Sequence, residues 1–196
     1  MAPTEQKLPP IESVPSLSAE ERAHILDLLF EPSAQLHTLS VPLLREKAFP
    51  SYHELISAVG MQLTELSESA STSDTQWLHD ILGSHPRLGA KKVESAQSQT
   101  EQAQLQGGGD EAAKLRELNE EYEAKYPGLR YVVFVAGRSR PVIMQDMRAR
   151  IDGSTFEAER AANIRVRSRY DHHRIHLKLT WSRQCVRLQP TGRRNS

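Results

Sequence analysis

The sequence has a single cysteine, few aromatic residues and no long apolar run, and each scarcity excludes a class of protein. Cys185 is the one cysteine among 196 residues, so a framework of intramolecular disulfides is excluded. Aromatic residues make up 6% of the chain, which favours a helical protein over a β-sandwich or barrel. No apolar run approaches the roughly 20 residues that span a bilayer, and residues 1–16 lack the order of a signal peptide. We therefore expect an intracellular protein with no membrane partner.

The net charge is zero, but the charges are unevenly divided along the chain. Residues 164–196 hold nine Lys or Arg and one acid, whereas residues 1–163 hold 16 basic and 24 acidic residues. The helical spacing of apolar residues also stops near residue 166. We predict a disordered N-terminus over residues 1–17, one domain over residues 18–165 and a basic, poorly ordered, atypical tail over residues 166–196. A shifted reading frame or a misplaced splice boundary is the simplest cause of such a tail.

Helix start signals predict an all-α domain. Ser18 and Ser51 each precede a glutamate by three positions, which is the pattern of a capping box, and apolar residues follow at helical spacing. Asp74 is a candidate cap for a helix that buries Trp77 and ends near Gly83, because Pro86 disfavours helical backbone before it. Further helices are expected over residues 94–105, from Asp110 to Pro127-Gly128 with Tyr122 inward and Glu123 outward, and after Ser139 and Ser154.

Two polar segments point to proton-transfer chemistry without a metal. His85, within Ser84-His85-Pro86-Arg87-Leu88-Gly89, follows a predicted helix end, and Ser98, Glu101 and Gln102 share one turn of the next helix. Histidine both holds and delivers a proton near neutral pH. The alternative for His85 is a capping or surface residue, and the alternative for Glu101 is a solvated helix face.

The segment Tyr131 to Val135 is the one stretch with clear strand propensity. A single short run cannot build a sheet, so we predict a buried extended link whose backbone groups contact a ligand. Gly107-Gly108-Gly109 lacks the Lys-Ser/Thr of a phosphate loop and is interpreted as a linker. His172, His173 and His176 lack the Glu of a zinc-protease motif, so no metal site is predicted.

A set of motifs in consistent order resembles the 2-oxo-4-hydroxy-4-carboxy-5-ureidoimidazoline (OHCU) decarboxylase family over roughly Ser18 to Ala162. The motifs are Phe30-Glu31, Phe49-Pro50, Trp77, Ser84 to Gly89, Ser98 with Glu101-Gln102, Leu118-Asn119 with Tyr122, and Gly137-Arg138-Ser139-Arg140. The resemblance implies a single-domain helical bundle that is usually a homodimer and uses no cofactor. The implied reaction is the carboxy-lyase step that forms (S)-allantoin in urate degradation, a part of purine catabolism.

The resemblance also implies roles for individual residues. His85 would be the proton donor that fixes the stereochemistry of the product, and Glu101 would bind substrate N–H groups and orient His85. No electron sink is then needed, because the substrate itself delocalises the carbanion. The other substrate-binding positions that the resemblance implies are Pro86, Ser98, Gln99, Thr100, Gln102, Tyr131, Val132, Val133, Phe134 and Val135.

The chain departs from the family at the closing helix, which supplies an arginine to the substrate carboxylate. Arg169 and Arg174 are candidates for this arginine, but neither has the expected apolar context. The alternatives are a catalytically impaired member of the family, or a non-catalytic binding protein whose basic tail binds nucleic acid or an acidic partner. Of these two partners we do not expect nucleic acid. The ending Arg194-Asn195-Ser196 is not a peroxisomal signal, so cytoplasmic and peroxisomal locations both stay open.

Overall fold

A computed structural model describes residues 8–90, 109–133 and 137–166 of the chain. Within these ranges the protein forms helices and no strands, which confirms the predicted all-α class. The elements in chain order are a 3₁₀ helix (Ile11–Ser16), α1 (Ala19–Leu29), α2 (Ala34–Glu46), α3 (Tyr52–Glu68), α4 (Thr72–Gly83), α5 (Gly109–Lys125), α6 (Arg140–Gly153) and α7 (residues 156–166). None of the helices in these ranges has the length and apolar character to cross a membrane.

The helix starts follow local capping, with one correction. Ser18 forms the predicted capping box with Glu21, and the Ser51 hydroxyl accepts from the Glu54 N–H at 3.2 Å. The cap of α4 is Ser71 and not Asp74, whose carboxylate instead accepts from the Ser69 hydroxyl at 2.6 Å.

The interior face of α4 excludes its tryptophan. Leu78, Ile81 and Leu82 are fully buried at helical spacing, whereas Trp77 keeps 38% of its surface exposed. The prediction that α4 buries Trp77 is therefore wrong, because this side chain lies about 100° around the helix from Leu78, at the edge of the buried stripe. The predicted end of the helix at Gly83 is confirmed.

Residues 8–17 pack against the helices. Val14, inside the 3₁₀ helix, is 1% exposed, and the Tyr52 hydroxyl donates to the Pro9 carbonyl at 2.8 Å. The Arg22 guanidinium donates to the Pro15 carbonyl at 3.1 Å. The prediction of disorder over residues 1–17 is wrong for residues 8–17, because one buried valine and two backbone anchors hold this proline-rich stretch in place. Residues 1–7 lie outside the described ranges.

One continuous set of buried apolar side chains joins the helices, and Tyr122, Tyr126 and Tyr131 form an aromatic cluster within it. The ring of Tyr122 on α5 meets the ring of Tyr126 edge to face at 4.9 Å and the ring of Tyr131 at 5.5 Å. The Tyr126 hydroxyl donates to the carbonyls of Arg150 and Ser154 at 2.8 and 3.0 Å. The aromatic cluster therefore attaches the link after α5 to the core of the bundle.

Candidate active site

His85 lies in the turn directly after α4, as predicted, with its imidazole beside a buried glutamate. The Ser84 hydroxyl donates to the Ile81 carbonyl at 2.8 Å and closes the helix end. Nδ1 of His85 lies 3.9 Å from Oε1 of Glu31, and the two side chains are 16% and 5% exposed. A carboxylate so withdrawn from water is stabilised by nearby positive charge, which the imidazole supplies when it is protonated. The pair is thus suited to hold a proton at His85.

Glu31 is a site residue to which sequence analysis assigned no role. It follows the last turn of α1, where the Phe30 N–H bonds to the Leu26 carbonyl at 2.7 Å and the Phe30 side chain is buried. A signal was present, since Phe30-Glu31 is among the motifs that carry the family resemblance. Its contact with His85 could not be predicted, because spacing along the chain says nothing about a contact between two helix ends that are far apart in sequence.

Two hydrogen-bonded contacts fasten the loop around His85 to α5. Arg87 donates from Nε and Nη2 to the two carboxylate oxygens of Glu123, at 2.7 and 2.6 Å. The Asn119 amide donates to the Leu88 carbonyl at 3.0 Å and to the Leu115 carbonyl, one turn back in its own helix, at 2.8 Å. The prediction that Glu123 faces solvent is therefore corrected, because its carboxylate turns to the Arg87 fork at the edge of the buried face.

The ionisation of Glu123 reflects this anchoring. Burial alone would raise the pKa of the carboxyl, but hydrogen bonds from Arg87 and Arg130 outweigh burial and hold the pKa below its usual value. Glu123 therefore stays ionised at neutral pH, and its bond to the loop persists throughout the working range of a histidine acid.

Gly89 ends the loop in a conformation that favours glycine. Its φ is +82°, and a Cβ at this position would lie 2.8 Å from Cδ2 of Leu115. We expect Gly89→Ala to lower the free energy of unfolding by about 1–3 kcal/mol and to lower activity, because both the backbone and the contact with α5 are strained. Urea denaturation measures the first effect.

Gly137 provides the matched control for this prediction. It has a φ of +75°, but a Cβ at this position would have no atom of the described residues within 4 Å, so Gly137→Ala carries backbone strain without the clash. Its destabilisation should be the smaller of the two. Equal losses in the two variants would contradict the conclusion that close packing of Gly89 on Leu115 holds the loop.

The predicted buried link is confirmed for residues 131–133, which belong to no helix or strand. Tyr131, Val132 and Val133 are 2%, 1% and 9% exposed. The Arg150 guanidinium donates from Nη1 to the Val132 carbonyl at 3.1 Å, and the Tyr131 hydroxyl bonds to Asp146. Both partners lie on α6, which therefore positions this segment.

The remaining predicted site residues lie outside the described ranges. They are Ser98, Gln99, Thr100, Glu101, Gln102, Phe134, Val135, Arg169 and Arg174, together with the predicted helix over residues 94–105 and the tail beyond residue 166. Pro86 is described and partly buried next to His85. Among residues 8–90, 109–133 and 137–166, no three His, Cys, Asp or Glu side chains are grouped so that they could hold a metal ion.

An open cleft of about 900 Å³ lies beside the turn that carries His85. The described residues that line it are Gln35, Gln76, His79, Asp80, Gly83, Ser84, Glu123, Pro127, Gly128, Leu129 and Arg130. His79 in its wall has a lowered pKa, chiefly because of burial and secondly because of the nearby Arg160. Most of the lining residues are polar or charged, so the cleft is polar, and it adjoins the turn of His85 at Ser84.

The comparison with protein families identifies a family for this chain. The family model for OHCU decarboxylase matches residues 15–176, a range that includes Glu31, His85, Asn119 and the link at residues 131–133. The match begins before and ends after the predicted domain of residues 18–165. A search of curated proteins found no match. Members of the matched family are carboxy-lyases that act in purine catabolism. The chain belongs to the OHCU decarboxylase family.

Proposed function

We propose that this protein converts OHCU to (S)-allantoin without a cofactor and that His85 is the proton donor. The observation that carries the proposal is the pairing of His85 with the buried Glu31 in a turn anchored to α5. The family match supports the reaction class, and the residue-level roles are inferred from this geometry and from the resemblance.

The proposed reaction balances without any added reagent. The bond between ring carbon C4 and the carboxylate breaks, carbon dioxide leaves, and the electron pair is delocalised over C4, the neighbouring C5 and the ring C=N group. The imidazolium of His85 then forms the new C–H bond at C5, the carbon that carries the ureido group, on one face of the ring. The C4 hydroxyl becomes the carbonyl of allantoin as its proton passes to the ring nitrogen, and the neutral imidazole regains a proton from water. A proton donor fixed on one face gives a single enantiomer of the product, because the planar carbanion can otherwise be protonated from both faces.

Glu31 has a positioning role in this scheme, since its carboxylate lies 3.9 Å from Nδ1 of His85 and favours the protonated form of the imidazole. We expect Glu31→Gln to lower kcat about tenfold, the effect of losing roughly 1.4 kcal/mol of stabilisation of the imidazolium. The alkaline decline of kcat should also move to lower pH, which a purely structural defect would not produce. A pH profile of kcat measures both changes.

Glu21→Gln is the control for this variant. Glu21 lies on the same helix, α1, but its carboxylate accepts from the Ser18 N–H at 2.8 Å in the capping box and lies at the surface. This substitution should leave the pH profile of kcat unchanged. If Glu31→Gln has the wild-type profile as well, Glu31 does not act on His85.

The experiment that tests the proposed function follows the handedness of the product. Freshly generated OHCU is mixed with the purified protein, and circular dichroism records the formation of (S)-allantoin against a sample without protein. We expect faster product formation and an excess of the S enantiomer. If the signal equals that of spontaneous decay, the proposal is contradicted, and the alternative of a catalytically impaired or binding protein takes its place.

A further inference from the structure

We infer that Arg150 is a positioning residue that sets the geometry of the substrate-facing link by holding the carbonyl of Val132. The inference rests on the proposed function, because the resemblance assigns substrate binding to this link and the sequence predicts that its backbone makes the contact. Arg150 lies on α6 and belongs to none of the motifs on which the resemblance rests.

The contacts of Arg150 reach two consecutive residues of the link. Its Nη1 donates to the Val132 carbonyl at 3.1 Å, and its guanidinium carbon lies 4.7 Å from the centroid of the Tyr131 ring. The side chain of Arg150 is 18% exposed. A guanidinium that stacks on a ring and donates to the next carbonyl fixes both position and orientation, which one hydrogen bond alone does not do.

The far side of the guanidinium is held by a second helix. Nε of Arg150 lies 3.1 and 2.9 Å from the two oxygens of Glu159 on α7, and the Glu159 side chain is 3% exposed. The Tyr122 hydroxyl donates to Glu159 at 2.6 Å, and the Asn163 amide donates to the Tyr122 hydroxyl at 3.3 Å. Arg150 is therefore a bridge whose outer end is itself immobilised by α5 and α7.

Because the peptide bond is planar, positioning the carbonyl of Val132 also positions the N–H of Val133. The carbonyl of Val132 and the N–H of Val133 belong to one rigid peptide unit. Holding the carbonyl against Arg150 therefore sets the direction in which the N–H of Val133 points. A link whose backbone is ordered before substrate arrives avoids the cost of being ordered on binding.

The test compares two substitutions at the same helix junction in the full-length protein. Arg150→Lys keeps the charge but lacks the planar guanidinium that donates hydrogen bonds to Val132 and Glu159 at the same time. Tyr126→Phe removes hydrogen bonds to the carbonyls of Arg150 and Ser154 and has no bond to Val132. Arg150→Lys loses hydrogen bonds between α6 and α7, and Tyr126→Phe loses hydrogen bonds between the end of α5 and the end of α6, so urea denaturation shows how far each variant is destabilised.

Two readouts separate positioning from stability. We expect Arg150→Lys to raise the KM for OHCU about tenfold with a smaller change in kcat, as for a lost binding contact, and to speed amide hydrogen exchange at Val133. Tyr126→Phe should leave KM and this exchange rate at wild-type values. Wild-type KM and exchange in Arg150→Lys, or equal changes in both variants, would overturn the inference.

A milder variant covers the case in which Arg150→Lys does not fold. Glu159→Gln keeps an amide oxygen for Arg150 but removes the charge, so exchange at Val133 should rise by less than in a variant of Arg150 itself. Unchanged exchange in Glu159→Gln would then overturn the inference. If the wild type gives no excess of (S)-allantoin, the proposed function fails, while the exchange measurement still decides whether Arg150 orders the link.

Discussion

Replacing His85 with asparagine should lower kcat for the formation of (S)-allantoin by about 10²- to 10⁴-fold, the usual contribution of a general acid. Asparagine keeps a polar side chain of similar reach but cannot carry a proton between water and the substrate. The fold should survive, because His85 lies in a turn that Arg87, Leu88 and Gly89 fasten to α5. The small amount of product that still forms should be close to racemic.

The control for this variant is His53→Asn. His53 is an exposed histidine in the first turn of α3, and neither the site geometry nor the resemblance gives it a role. The rate, the circular dichroism of the product and the thermal midpoint are measured for both variants. If His85→Asn keeps a wild-type rate and a wild-type excess of the S enantiomer, His85 is not the proton donor, even though the chain still belongs to the family.

The helix boundaries that sequence analysis predicted correctly are those with local causes. The box of Ser18 with Glu21 and the stop at Gly83 ahead of Pro86 depend on residues within one turn of each other, so the order of residues along the chain contains the whole interaction. Asp74 failed as a cap although its contacts are also local. Ser71 and Asp74 are both capable caps, and the bond between the Ser69 hydroxyl and Asp74 decides between them.

Sequence analysis named residues of the candidate site but not the contacts between them. His85 and the link at residues 131–133 were found from a motif and from strand propensity, which are properties of short segments. The contact of Glu31 with His85 and the bond from Arg150 to Val132 join residues on separate helices. Such contacts depend on how the helices pack, and spacing within one helix carries no information about them.

Helix α5 connects the two parts of the site. Asn119 and Glu123 hold the loop of His85, and Tyr122 contacts both Glu159 and the Tyr131 ring. These three residues lie three and four positions apart and so share one face of the helix. One helix face thus orients the candidate acid and supports the network behind the link, so a shift of α5 would disturb both parts at once.

The largest expected effect on stability comes from the buried pair of Arg150 and Glu159. We expect Glu159→Ala to lower the free energy of unfolding by about 3–5 kcal/mol, because it leaves the guanidinium of Arg150 buried without its counter-charge. The Tyr122 hydroxyl loses its acceptor in the same variant and adds to the cost. Urea denaturation at pH 7 measures the loss.

Glu121→Ala is the matched control, since it also removes a carboxylate that pairs with an arginine through two oxygens. The pair of Arg148 and Glu121 is 44% and 48% exposed, so water replaces the lost contact and no resolvable change is expected. Equal losses in the two variants would show that burial does not set the cost of breaking the pair of Arg150 and Glu159.

The pH dependence gives the buried pair a second signature. Burial opposes ionisation of Glu159, but hydrogen bonds from Arg150 and Tyr122 outweigh it and hold the pKa of the carboxyl below its usual 4.5. Because the folded state has the lower pKa, the contribution of Glu159 is fully present above about pH 5 and is lost as the pH falls through the folded value. The stability difference between wild type and Glu159→Ala should therefore be constant from pH 7 to about pH 5 and shrink below that. A difference that grows on acidification would contradict an ionised Glu159 as the partner of Arg150.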